Sequence, residues 1–87
     1  MPGGTPAITG PELSRLLVQY DGWVAEDRGK HIIMHVKTMP DGSVRTTGIP
    51  RKKKPIPPGT LGAILGPKET GLGKAGLRRL LAKARKS

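Results

Sequence analysis

Apolar residues recur at helical spacing near both ends of the chain and at alternate positions through its middle. Leu13, Leu16, Leu17 and Tyr20 lie three or four residues apart, the repeat of one helix face. Thr9 and Glu12 form a capping-box pattern, and Pro11 suits a first turn. Asp21-Gly22 closes the segment, so a helix is predicted over 10–20. Leu77, Leu80, Leu81 and Ala84 mark another such face and predict a last helix over 72–84. Gly73 and Gly76 weaken its start by about 1 kcal/mol each relative to Ala. Ahead of it, Leu61, Ile64 and Leu65 predict a short helix, capped by Thr60 and stopped by Gly66-Pro67.

The middle reads as three strands: Trp23–Arg28, His31–Thr38 and Ser43–Ile49. In the second, the even positions Ile32, Met34 and Val36 are all apolar. The odd ones are His31, Ile33, His35 and Lys37. Parity therefore predicts an even face in the core and an odd face open to solvent. A two-residue turn at Gly29-Lys30 sets Arg28 opposite His31 and brings Trp23 and Ala25 into the core. Pro40-Asp41-Gly42 fits a three-residue loop with a left-handed Gly, which sets Val44 opposite Thr38 and Arg45 opposite Lys37. On this reading Val44 joins the core.

The expected fold is α+β with two layers in α-β-β-β-α order, a three-stranded antiparallel sheet with helices on one face. Residues 1–8 are Pro/Gly-rich and expected to be loose, and 9–87 to form a single domain. Residues 50–59 hold four prolines and are expected to be an irregular basic crossover.

Charge sharpens the picture. Sixteen Lys and Arg oppose six Asp and Glu in 87 residues, for a net +10. Eleven of those sixteen follow Gly48, against Glu69 alone among the acids. Such asymmetry points to a polyanion. There is no Phe or Cys, and Trp23 and Tyr20 are the only aromatics. A chain this short and aliphatic has little room for an enclosed cofactor site, so any chemistry is expected at its surface. Neither thiolate metal sites nor disulfides are open to it, and no cofactor or metal is expected. No apolar run is long enough for a membrane span, and the first residues lack the pattern of a signal peptide. A cytoplasmic location is the expectation.

Two readings of His31 are open from its chemistry: a surface histidine of no consequence, the more common case, or a candidate catalytic residue. RNA is cleaved without metal when a base takes the 2′-hydroxyl proton and the oxygen attacks the adjacent phosphorus. Imidazole as a class titrates near pH ~6.5 and suits that task. Arg28 and Lys30 flank it, with Gly29 in the turn, and their charge would stabilise the transition state. His35, Lys37 and Arg45 on the same expected face, and the run Arg51-Lys52-Lys53-Lys54, are candidate RNA contacts. His35 lies ~13 Å along the strand from His31, too far for a simple base–acid pair. Two histidines without cysteine make a poor metal site.

These residues resemble the HicA toxins. The likeness runs in order over roughly 9–82. It comprises the first helix with Leu16-Leu17, the Gly22-Trp23 step, Gly29-Lys30-His31 before an apolar run, Ile49-Pro50 before a basic stretch, Gly59-Thr60-Leu61 with Ile64-Leu65, and Gly71-Leu72. The resemblance implies a double-stranded-RNA-binding-domain-like fold and an mRNA-cleaving endoribonuclease that needs no metal. It implies His31 as the catalytic histidine and Gly29 as the turn glycine. It also implies a HicB-like antitoxin that covers the histidine. Lys30 stands where the family has serine, and Gly66-Pro67 interrupts the family's second helix. The alternative is a non-catalytic RNA- or DNA-binding module of the same fold.

Overall fold

The computed structural model describes residues 7–26 and 31–86, in the order α1 (Gly10–Tyr20), β1 (Val24–Glu26), β2 (Ile32–Thr38), β3 (Val44–Pro50), α2 (Pro58–Leu65) and α3 (Gly73–Lys86). The strands form one antiparallel sheet in the order β1-β2-β3. α1 and α2 pack on the sheet, and α3 packs on both of them. This is the expected α+β arrangement.

α1 begins as expected. The Thr9 hydroxyl accepts from the Glu12 N–H, and the Glu12 carboxylate accepts from the Thr9 N–H. Gly10 lets the helix start directly against β3, because a Cβ there would lie 1.6 Å from the Pro50 carbonyl oxygen. α2 starts earlier than expected. Pro57 is its cap and Pro58 its first residue, so Thr60 lies inside the helix instead of capping it. The fixed φ of proline suits a first turn, where its missing N–H costs nothing. Ile8, expected to be loose, is buried and accepts a bond from the Ile56 N–H through its carbonyl.

The loop at 40–42 forms as expected. Gly42 has a φ of +90°, the Gly42 N–H donates to Met39, and Thr38 pairs with Val44. The β1–β2 register differs by one residue from expectation. Ala25 pairs with His35, where a two-residue turn would set it opposite Met34. The turn residues 29–30 lie outside the described residues.

The sheet faces are also inverted. The odd residues of β2 face the helices, and the even residues face out. Val24 is 63% and Val44 59% exposed, and Ile32 and Met34 are exposed too; Ala25, opposite His35 on the inner side, is exposed at the edge strand and does not join the core. The inner face holds Ile33, His35, Lys37, Arg45, Thr47 and Ile49, of which Ile49 and His35 are fully buried. The reason lies in the partners that the other layers bring. His35 meets Ser14 of α1, Thr47 meets Glu69, and Arg45 meets the carbonyls of Pro67 and Glu69. Lys37 forms an ion pair with Asp21 at 3.4 Å. Satisfied polar groups are tolerated inside. Outside, Ile32 and Met34 fold over Gly48, whose missing side chain leaves them room. One face of an antiparallel sheet tolerates solvent in this way.

Trp23 does lie in the core, at 2% exposure, with its indole N–H donating to Asp21. This inversion has a direct test. Val24→Thr and Val44→Thr should shift unfolding free energy by no more than about 0.5 kcal/mol. Ile49→Ala should cost about 2–5 kcal/mol. A large loss at Val44 in chemical denaturation would restore the expected parity.

Candidate nucleic-acid interface

β2 and β3 stay paired beyond their last strand residues. The Arg51 N–H donates to the His31 carbonyl at 2.9 Å, continuing the ladder that pairs Ile32 with Pro50. His31 therefore stands beside the first residue of the basic run, at the end of the sheet. The imidazole is exposed, as expected. Its backbone is held while its ring remains reachable by a ligand.

The run that starts at Arg51 is shaped by its prolines. Pro50, Pro55, Pro57 and Pro58 keep it out of helix and inner strand. Its far end is tied back where Thr9 bridges to Pro55 and the Ile56 N–H donates to Ile8. Between these ties Lys52, Lys53 and Lys54 are exposed and Arg51 is half-buried. Lys52 and Lys54 line one shallow groove with Pro50, Pro55, Ile56 and Pro57. Proline narrows the conformations open to the loop, so the backbone that carries these cations is partly preorganised.

The other expected contacts divide differently. Arg28, Gly29 and Lys30 lie outside the described residues. Lys37 and Arg45 are on the inner face, and their charges serve the ion pair and carbonyl bonds already named. His35 is not an RNA contact, because it is 0% exposed. Its Nδ1 faces the Ile33 carbonyl at 3.0 Å, which only accepts, so Nδ1 carries the proton. Nε2 then accepts from the Ser14 hydroxyl at 2.7 Å. Burial pushes the His35 pKa down, against a smaller upward effect of the Ile33 carbonyl, and this favours the neutral ring.

Sequence reasoning passed over Ser14 and Glu69, which satisfy the inner face. Neither carries a local signal, since each finds its partner more than 20 residues away. Among the described residues no three His, Asp or Glu side chains converge as a metal cluster would require. No described helix is long and apolar enough to cross a membrane. No family model, curated protein or solved structure matches the chain.

Proposed function

We propose that the protein is an endoribonuclease that cleaves mRNA without a metal, in the manner of the HicA toxins it resembles. The observation that supports this reading is the exposed His31 laddered to Arg51, which heads the cationic run. In this scheme Arg51, Lys52, Lys53 and Lys54 hold the phosphates on either side of the scissile bond. The His31 imidazole takes the proton of the 2′-hydroxyl. The 2′-oxygen attacks phosphorus, and the bond to the 5′-oxygen breaks. That oxygen leaves with the proton of the imidazolium, passed directly or through water, which returns the ring to its neutral state. The products are a 2′,3′-cyclic phosphate and a 5′-hydroxyl. The proposal includes a cytoplasmic setting and a HicB-like antitoxin whose binding covers His31.

One observation favours a second reading. With His35 sealed inside, His31 is the single exposed histidine, and no second imidazole stands ready as the acid. A module that binds RNA without cutting it fits that arrangement. Purified protein mixed with unstructured RNA in excess chelator separates the two. Fragments bearing cyclic phosphate ends are expected. Intact RNA, bound in a salt-sensitive way, would leave the binding module.

A further inference from the structure

α3 carries Lys74, Arg78, Arg79, Lys83, Arg85 and Lys86 and not one carboxylate. All six cations are exposed. At about 100° per residue they fill the half of the helix opposite Leu77 and Leu80, which are buried. Charge placement along the helix favours only three of them. Lys74 with Arg78, and Arg79 with Lys83, are like charges four residues apart, which weaken a helix. Lys74 also stands in the first turn, where the helix dipole disfavours a cation; only Lys83, Arg85 and Lys86 are well placed.

α3 is also oriented toward the basic loop. Leu81 and Ala84 share a groove with Glu12, Arg15 and Leu16, so the last turns of α3 lie over the first turns of α1. Thr9, at the start of α1, bridges to Pro55 at the end of the basic loop. The C-terminal cations of α3 and Arg51-Lys52-Lys53-Lys54 therefore lie toward one end of the molecule. From there the helix carries charge over ~16 Å, from Arg85 back to Lys74.

We infer that the outer face of α3 is a second phosphate-binding surface, on which the RNA backbone continues after passing the basic loop. This rests on the RNA reading above. A membrane surface is disfavoured because the apolar side of α3 is already closed against α1 and α2. An acidic protein partner is disfavoured because the exposed side holds no apolar anchor larger than Ala75 and Ala82. Phosphate binding needs charge alone.

The test is a variant combining Arg79→Ala, Lys83→Ala, Arg85→Ala and Lys86→Ala, changes that keep intrinsic helix propensity, with helix content checked by circular dichroism. The probe is a fully 2′-O-methylated RNA of about 20 nucleotides, longer than the ~21 Å helix. It has no free 2′-hydroxyl and cannot be cut, so binding is read even if the protein proves to have no nuclease activity. The expected result is binding at least ~10-fold weaker at low salt. The slope of log affinity against log salt should fall by about 2–3, at ~0.7 per lost contact on a single strand. Unchanged affinity and slope would overturn the inference. So would polyglutamate binding the intact protein as tightly as the RNA, with the same dependence on α3. Failure of the nuclease reading appears separately, as unmodified RNA left whole by a protein that still binds through α3.

Discussion

On the proposed mechanism, His31→Ala should lower metal-free RNA cleavage by about two to four orders of magnitude, the usual contribution of a positioned general base. The substitution should leave the fold and RNA affinity nearly unchanged. The bond to Arg51 is made by the His31 carbonyl, not its ring, so it survives the change. The ring is exposed and fills no part of the core. The loss should therefore fall on turnover rather than on binding of an uncleavable RNA. Neutralising Lys52, Lys53 and Lys54 should do the reverse, weakening binding in proportion to the phosphate contacts removed. Cleavage by His31→Ala at the wild-type rate would exclude this ring as the base. A thermal midpoint that fell with activity would assign it a structural role.

The second large effect is expected at His35, and it is a stability effect. His35→Ala should cost about 2–4 kcal/mol, from the space left behind and from two polar groups, the Ser14 hydroxyl and the Ile33 carbonyl, that lose their partner. The same residue should make stability depend on pH. Its pKa is lowered in the fold, so the unfolded chain binds the proton first as pH falls. Stability is fully present above the ordinary imidazole pKa of ~6.5 and declines as pH falls below it toward the folded value. The groups around the ring are the Ser14 hydroxyl from α1, the Ile33 carbonyl on its own strand, and Thr47 across from it on β3, itself bonded to Glu69.

Carboxylates act in a lower window. The Glu12 carboxyl is held below its ordinary value by bonds to Thr9, and that of Asp41 by bonds to Ser43. Their contributions are present above the ordinary carboxylate range and are lost as pH falls through the lowered values. Thermal unfolding from pH 7 to 5 thus isolates the histidine. His35→Gln, which does not titrate, should flatten the curve over that interval. An equally steep curve in the variant would place the proton uptake elsewhere.

Much of the architecture could be read from local pattern. The Thr9–Glu12 box, the leucine spacing of α1, the left-handed Gly42 loop and the β2–β3 register each depend on residues close together in the chain. The exposure of His31 was legible as well, but for a different reason from the one expected. It lies just outside β2, at the end of the sheet, where strand parity no longer decides its exposure.

Local pattern by itself determined the elements, their order and the concentration of charge after Gly48. Which side of the sheet turns inward was decided by tertiary structure. Counting apolar residues favoured the side with Ile32, Met34 and Val36. The helices and the α2–α3 connection supplied partners for the side with His35, Arg45 and Thr47 instead. Strand parity is symmetric between two faces, and a polar residue goes to whichever face meets its hydrogen-bonding needs. Those needs were met from more than 20 residues away, beyond the reach of any local window.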